Sequence, residues 1–181
     1  MSNPWRRRAG VLTLALLLAL SGRARAEVDL EYAVKAAYLA KFVPFIEWPE
    51  SAFASPRAPV NICILGKDPF GVALDRAAAA NGGESRPLAV RHLASPDLAS
   101  ACQILYLGDE EAAASLPPGL RDRPVLTVTE SGHGAGIISF VIEANHVRFD
   151  IDEDAAAHSG IRISSKLLSL ARRVKRRSGG P

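Results

Sequence analysis

The chain has 181 residues, with 22 Lys and Arg against 19 Asp and Glu, which gives a formal net charge of +3. Five of the 22 basic residues lie in the first 26 residues, where there are no acidic ones, so the remaining chain has 17 basic and 19 acidic residues and a net charge of −2. That balance excludes nucleic-acid binding as a function inferred from overall charge. The length beyond residue 26 is enough for one core and not for two.

The first 26 residues have the layout of a secretory signal peptide. An arginine-rich segment, an apolar segment and a small-residue cleavage signal follow one another at residues 6–8, 11–20 and 24–26, so we expect cleavage between Ala26 and Glu27. The apolar segment is about half as long as a membrane span. The paired arginines leave twin-arginine export as an alternative, but the next position lacks the usual aromatic residue, which favours general secretion. The sequence therefore predicts a periplasmic chain without a transmembrane anchor.

The first predicted element of the exported chain is an amphipathic helix at residues 28–43. Apolar side chains recur there every four residues, which predicts a single apolar stripe. The stripe consists of Leu30, Val34, Tyr38 and Phe42. Pro44 and the pair Trp48–Pro49 are predicted to end the helix.

Alternating strands and helices follow. Short apolar runs rich in β-branched residues predict strands at residues 60–65, 87–93, 103–107 and 124–129. A helix after the first strand is predicted to start with Asp68 as its cap and Pro69 in its first turn. Another helix, after the third strand, opens with three acidic residues at 109–111. Such alternation predicts a parallel sheet with helices on both faces.

The pattern changes in the last third of the chain. The segments IISFVIEA (137–144) and VRFDI (147–151) predict an antiparallel hairpin with Asn145 and His146 as its turn. A short helix capped by Asp152 and a final helix over residues 164–177 are predicted to follow.

The final helix would place a basic cluster at the negative end of its dipole. This cluster consists of Arg172, Arg173, Lys175, Arg176 and Arg177. Docking of the cluster on an acidic partner or an anionic membrane surface is the alternative.

Together these elements predict a single α/β domain at residues 27–177, with a short disordered tail at 178–181. Its sheet is mainly parallel and flanked by helices, with an antiparallel β-hairpin near the C-terminal third. No internal repeat and no long linker interrupts this range.

The two cysteines, Cys63 and Cys102, lie in separate apolar segments predicted to be buried strands. In an oxidising compartment an even pair is more often bridged than free, and neighbouring strands would bring the two within bridging distance. Two buried thiols that pack as small hydrophobic groups are the alternative.

A glycine-rich segment around a histidine, ESGHGAG (130–136), first suggests a phosphate-binding loop. Such a loop needs a following helix whose amide groups face the phosphate, and here the next predicted element is a strand. The segment is therefore predicted to be a turn in which Gly136 adopts a conformation that other residues resist.

No other motif predicts catalysis or a bound cofactor. The four histidines lack metal-binding spacing. The acidic run at 150–154 lacks the Gly and Glu that a calcium loop needs at its sixth and twelfth positions. We therefore expect no enzyme activity, metal or cofactor. Two alternatives stay open: a catalytic site assembled from His133 and His146, and a small-ligand site at the carboxyl ends of the strands, near Gly66, Gly108 and Thr129.

Several segments taken together resemble the YfiR/HmsC-like family of periplasmic regulatory proteins. They are YAVKAAYLAKFVPFIEWPESAF, VNICILGKDPFG, CQILYLG, VLTVTE and, as the most specific, GIISFVIEANHVRFDIDEDAAAHSGIRISSKLLSLARRV. The resemblance implies a small α/β protein without enzymatic activity. It also implies repression of an inner-membrane diguanylate cyclase through contact with the cyclase's periplasmic sensor domain, which limits cyclic-di-GMP and biofilm formation. Dimers and redox-sensitive disulfides are associated with the family.

The chain departs from the family pattern at several positions, and the missing second cysteine pair puts in doubt any regulation through a second disulfide. Ser139 and Asp152 replace customary asparagines, and Ala135 replaces a glycine. There is no second cysteine pair, so Cys63 and Cys102 are the one candidate bridge. For the partner interface we expect the C-terminal helix and its neighbourhood, at Leu167, Leu168 and Leu170.

Overall fold

A seven-stranded sheet organises the computed structural model, which describes residues 28–82, 86–134 and 136–176. The strands are β1 (Ile46–Glu47), β2 (Val60–Leu65), β3 (Leu88–Leu93), β4 (Ile104–Leu107), β5 (Leu126–Glu130), β6 (Ile138–Glu143), β7 (His146–Asp152), β8 (Arg162–Ile163) and β9 (Arg173–Lys175). The helices are α1 (28–42), α2 (Val72–Asn81), α3 (Glu110–Ala114), α4 (Glu153–His158) and α5 (Ser165–Leu170). The predicted signal peptide, its cleavage site at Ala26 and Glu27, and the tail at 178–181 lie outside the described residues.

The strand order in the sheet is β3-β2-β4-β5-β6-β7-β9. Neighbours from β3 through β6 are parallel, β7 is antiparallel to β6, and β9 is parallel to β7. A separate antiparallel pair joins β1 to β8. The predicted fold is confirmed: a single α/β domain with a mainly parallel sheet, flanking helices and an antiparallel hairpin.

Alternate residues of the strands build the core on both faces of the sheet, because successive side chains of a strand point to opposite sides. On one face, Ile62 and Ile64 pack with residues of α1, α2, α4 and α5; we call this the α1 face. On the other, Cys63 and Leu65 pack with α3 and with two short 3-10 turns at Pro96–Ala101 and Pro118–Asp122; we call this the α3 face.

A disulfide joins Cys63 of β2 to Cys102, just before β4, inside the core of the α3 face. The two Cα atoms are 5.9 Å apart, and the residues are 39 positions apart in sequence. Closing a loop of this length removes about 4 kcal/mol of conformational freedom from the unfolded chain, on the chain-entropy account. The open choice between a bridge and two buried thiols is thereby answered in favour of the bridge.

The apolar stripe predicted for α1 is wrong in its N-terminal half. Phe42 is buried and Tyr38 partly so, but Leu30 and Val34 are 66% and 38% exposed. The side of α1 that faces the sheet instead carries Lys35, Ala36, Leu39, Ala40 and Phe42. A four-residue spacing drifts around the helix, since one turn takes 3.6 residues, and the predicted stripe therefore leaves the core.

The start of α2 was also predicted wrongly. Asp68 does not cap the helix, because its Oδ1 accepts a hydrogen bond from the backbone N–H of Phe70 at 2.8 Å and closes a local turn. Gly71, with φ of +50°, follows this turn, and the helix begins at Val72.

The hairpin turn lies one residue earlier than predicted. Ala144 and Asn145 are its central residues, with φ of +47° and +61°, and His146 already pairs with Glu143 across the two strands. Positive φ at both central residues gives the turn that matches the twist of a two-residue hairpin.

The long final helix predicted at 164–177 is not formed. The backbone leaves the helical conformation at Ala171, where ψ is 144°, and Arg173–Lys175 pair with β7 instead. Arg172 Nε donates to Asp150 Oδ1 at 2.8 Å, and Lys175 Nζ donates to Asp152 Oδ2 at 2.7 Å.

These ion pairs replace the predicted interaction of the basic cluster with a helix dipole. The hydrogen bonds from Arg172 hold the pKa of Asp150 below its usual value. Burial alone would raise the pKa of Asp152, but the bond from Lys175 and the backbone N–H of Ala155 lower it overall. The open edge of β7 therefore determines the conformation of this segment. Arg177 lies outside the described residues.

Candidate functional site

At the carboxyl ends of β2 and β4, near two of the positions considered for an alternative small-ligand site, the chain packs closely on itself. A Cβ atom on Gly108 would lie 1.9 Å from the carbonyl oxygen of Lys67. The carboxylate of Asp109 accepts hydrogen bonds from the backbone N–H of Lys67 at 3.0 Å and of Ala112 at 2.8 Å. These bonds keep the pKa of Asp109 below its usual value. The loops that follow β2 and β4 are thus fastened together near Gly66 and Gly108.

A buried charge network lies next to this edge, on the α1 face. Lys35 is 1% exposed, and its ammonium group donates to Glu130 Oε2 at 2.7 Å and also to Glu31. Tyr106 donates its hydroxyl proton to the other oxygen of Glu130 at 2.9 Å. The Lys35 ammonium lies 4.6 Å from the centre of the Tyr32 ring. The network joins α1 to β4 and β5.

The electrostatics of this network favour the charged ion pairs. Burial alone would lower the pKa of Lys35, but its bonds to Glu130 and Glu31 outweigh burial and raise that pKa. Burial, followed by the negative charge of Glu130, raises the pKa of the Tyr106 hydroxyl well above its usual value. Both groups therefore keep their protons, and neither is set up as a base. The network fixes the position of α1 and offers no reactive group.

Sequence reasoning missed this network, although each residue gave a partial signal. A lysine stands in α1 among apolar residues that face the sheet, and a glutamate ends the apolar strand β5. Their pairing could not be read from the sequence, because 95 residues separate Lys35 from Glu130.

The glycine-rich segment is a tight crossover between the parallel strands β5 and β6. The connection spans residues 131–137, and its described residues, 131–134 and 136–137, form no helix of the kind that usually covers such a link. Gly132 and Gly134 have φ of +94° and +92°, which glycine adopts readily. The prediction that Gly136 adopts a backbone conformation that other residues resist was wrong. Its backbone is not in the left-handed region; a Cβ there would instead lie 2.9 Å from the Ile138 carbonyl oxygen and 3.0 Å from the Thr129 side chain.

Gly136→Val should therefore destabilise the protein, whereas His133→Ala should be nearly silent. Overpacking beside a backbone oxygen costs about 1–3 kcal/mol or more. The His133 side chain is partly exposed, and its Nδ1 has no hydrogen-bond partner within the part of the chain that the structure describes. Its removal should change the free energy of unfolding by less than about 0.5 kcal/mol. Urea unfolding of both variants measures this, and equal losses would contradict the assignment of the crossover.

His133 lines a groove of about 910 Å³ on the α3 face, between α3 and α4. His146 does not line this groove, and its Nδ1 lies 2.7 Å from the carbonyl oxygen of Ala144. The structure therefore does not join the two histidines in one site. Within residues 28–82, 86–134 and 136–176, no group of three or more His, Cys, Asp or Glu side chains is placed to hold a metal ion.

A second cavity, of about 790 Å³, lies between the β1–β8 pair and α4. Trp48 lines it, and the buried Nε1 of this residue has no hydrogen-bond partner in the described part of the chain. Arg162 and Arg176 also line the cavity, and Arg162 Nη1 lies 3.3 Å from Glu47 Oε2. The sequence analysis treated Trp48 only as a residue that ends α1 and did not predict this cavity.

The three leucines predicted for the partner interface have different surroundings. Leu167 is buried in the core at 2% exposure, Leu168 is partly buried, and Leu170 is 57% exposed. Lys166, one helical turn before Leu170, lies 5.6 Å above the ring of Phe45. We call Phe45, Lys166 and Leu170 the α5 surface. Of the three predicted leucines, Leu170 is the one that a partner could reach fully.

The family model described as YfiR/HmsC-like matches residues 32–172, from the first turns of α1 to the residue before β9. The match includes both core faces, the disulfide, the crossover and the buried charge network except Glu31. Within the described ranges, no helix has both the length and the apolar character needed to cross a membrane. The chain belongs to the YfiR/HmsC-like family, a non-catalytic family of periplasmic regulators of cyclic-di-GMP signalling.

Proposed function

We propose that this protein is exported to the periplasm with cleavage between Ala26 and Glu27. There it binds the periplasmic sensor domain of an inner-membrane diguanylate cyclase, represses cyclic-di-GMP production and so limits biofilm formation. The family match over residues 32–172 carries this proposal. The disulfide between Cys63 and Cys102 supports it, because such bonds persist in oxidising compartments and are rare in the cytosol.

The α5 surface is the part of the chain that we assign to this partner. Leu170 supplies an exposed apolar anchor, and Lys166 supplies a positive charge beside it. Exposed apolar side chains next to charged ones are a common composition for protein interfaces. The complementary surface of the sensor domain is then apolar with an acidic rim.

Leu170→Glu should weaken capture of the sensor domain by about tenfold or more, as expected for loss of an anchor residue. The matched control is Val72→Glu on α2, where the side chain is 63% exposed and lies outside the α5 surface. Binding is measured with the immobilised sensor domain, and cyclic-di-GMP is measured in cells that carry each variant.

Deletion of the gene, combined with the Leu170→Glu measurement, tests the proposed function and the assignment of the α5 surface separately. If deletion of the gene leaves cyclic-di-GMP unchanged, the proposed function is wrong. If deletion raises cyclic-di-GMP but Leu170→Glu binds the sensor domain normally, only the assignment of the α5 surface is wrong.

Small-ligand binding is the second candidate function, and one observation favours it. Trp48 lines the cavity between β1–β8 and α4, and its buried indole N–H has no acceptor among the described residues. A buried donor without an acceptor costs free energy that a ligand could recover. A thermal-shift screen of periplasmic metabolites tests this function, and an absence of stabilisation by any of them would contradict it.

A further inference from the structure

Strand β3 is an open edge of the seven-stranded sheet. It is the outermost strand on its side, and it pairs with β2 over six consecutive residues without a bulge. Every residue of β2 except Asn61 is buried. In β3, by contrast, Arg91 and His92 are exposed and the other four residues are half-buried. Solvent therefore reaches β3 along its whole length.

The backbone of β3 presents hydrogen-bonding groups along this edge. The N–H of Val60 donates to the carbonyl of Pro87 at 2.9 Å, which fixes the side of β3 that faces β2. Because the backbone groups of alternate residues point to the same side of a parallel strand, the N–H and C=O groups of Leu88, Val90 and His92 point outward. Within the described residues no hydrogen bond pairs these groups. They form the row of donors and acceptors that an added strand needs.

The opposite edge of the sheet is protected against strand addition to a greater extent. At that edge, β9 has three residues, and its Lys175 is paired with Asp152. Short edge strands, charges, prolines and bulges are the usual means by which proteins prevent unwanted strand pairing. In β3 there are six residues without proline or bulge, and the protection is limited to the charges of Arg91 and His92. The difference indicates that β3 is kept available for pairing.

The side chains of β3 indicate which strand fits. His92 lies 2.9 Å from Asp68, but Arg91, exposed on the α3 face, forms no ion pair with a described residue. A second copy of β3 in antiparallel pairing would bring the two Arg91 side chains close together, and like charges on neighbouring strands are destabilising. An acidic neighbour would be favourable. The half-buried Leu88 and Val90 favour apolar or β-branched neighbours.

We infer that β3 is a docking site for an extended segment of a partner protein, which adds a further strand to the sheet and carries an acidic side chain beside Arg91. In strand addition, main-chain hydrogen bonds supply the affinity and the neighbouring side chains select the sequence. No residue of β3 belongs to the α5 surface. This site is therefore separate from the one assigned to the sensor domain, and it does not depend on the proposed function.

Two synthetic peptides, each long enough for one strand, test this inference on the purified exported protein. Both contain alternating threonine and valine, with two glutamates in the C-terminal half for parallel addition or in the N-terminal half for antiparallel addition. One peptide should bind and shift the amide NMR signals of Val90 and His92. The same peptide with methylated nitrogens at two adjacent central residues should not bind, because both of its edges are then blocked. Absence of binding by both unmethylated peptides would overturn the inference.

A substitution in β3 tests whether the outward-facing backbone is the binding site. Val90→Pro removes an outward N–H but no bond to β2, a position where an edge strand tolerates proline. It should raise the dissociation constant of the bound peptide by about tenfold or more. Val90→Thr is the matched control, because it keeps the N–H and the β-branched side chain, and should change the constant by less than about twofold. Circular dichroism melting verifies that both variants are folded. Unchanged binding by folded Val90→Pro would contradict the site.

Charge exchange and self-association test the identity of the occupant. Arg91→Glu should weaken binding of the glutamate peptide by about two- to fivefold, and it should bind the corresponding lysine peptide more tightly than the unchanged protein does. Equal binding of both peptides by both proteins would overturn the inference of an acidic partner. Sedimentation velocity detects the other occupant: if the unchanged protein self-associates and Val90→Pro does not, β3 pairs with a second copy of the chain and the inference is wrong.

Discussion

Gly108→Ala is expected to destabilise the protein strongly. The added Cβ would lie 1.9 Å from the Lys67 carbonyl oxygen and 2.7 Å from its nitrogen. The backbone cannot move aside easily, because the N–H of Gly108 donates to the Leu65 carbonyl at 2.8 Å and Asp109 holds the N–H of Lys67. We expect a loss of about 3 kcal/mol or more in the free energy of unfolding.

Gly119→Ala is the matched control for this substitution. Gly119 lies in the turn Pro118–Asp122, has no atom within 4 Å of an added Cβ, and does not have a left-handed φ. Its replacement should change stability by no more than about 0.5 kcal/mol. Urea unfolding of both variants gives the comparison. Similar stability for both would show that β2 and β4 do not meet as closely as described.

Glu130→Ala is expected to cost about 3 kcal/mol, because it removes the principal partner of a buried cation. Lys35 would keep only Glu31, and the Tyr106 hydroxyl would lose its acceptor. Breaking a buried ion pair on one side costs about 3–5 kcal/mol, since an uncompensated charge stays behind. Glu47→Ala is the control; Glu47 pairs with Arg162 at the surface, where ion pairs contribute about 0–1 kcal/mol.

A double-mutant cycle separates this ion pair from other effects of the substitution. Lys35→Met with Glu130→Gln removes both charges and keeps similar volumes. The double variant should be less destabilised than the sum of the two single variants, by about 1 kcal/mol or more. Additive losses in urea unfolding would mean that the two residues contribute independently, and the network would then not hold α1 in place.

The strands could be predicted from the sequence because their signal is local. The runs around Cys63 and Leu105 are apolar and β-branched, and both were placed within two residues of their observed bounds. Alternation with helices then indicated the parallel sheet. The hairpin was also predicted, but its turn was placed one residue too late. The positive φ of Ala144 could not be predicted, because alanine rarely adopts it.

The errors arise where distant residues determine local structure. Locally, residues 164–177 favour a helix, yet Asp150 and Asp152 draw Arg172 and Lys175 to the edge of β7. The pairing of Lys35 with Glu130 and the filling of the crevice at Gly108 likewise depend on the tertiary fold. The proposed function rests on the family resemblance, and the structure does not bring His133 and His146 together in one site.

The position of the disulfide has a consequence for the order in which this chain can fold. The disulfide and the three strands β2, β3 and β4 all lie before residue 108. If the chain emerges from its N-terminus, this part of the sheet can therefore form, and the disulfide can close it, before the later strands are available. In contrast, α1 lies before this part of the sheet but cannot dock with it alone, because Glu130 and Phe140, which contact α1, belong to the later strands β5 and β6. We expect α1 to dock only after β5 and β6 have formed, and its sheet-facing side, with Ala36, Leu39 and Phe42, to stay exposed to water until then.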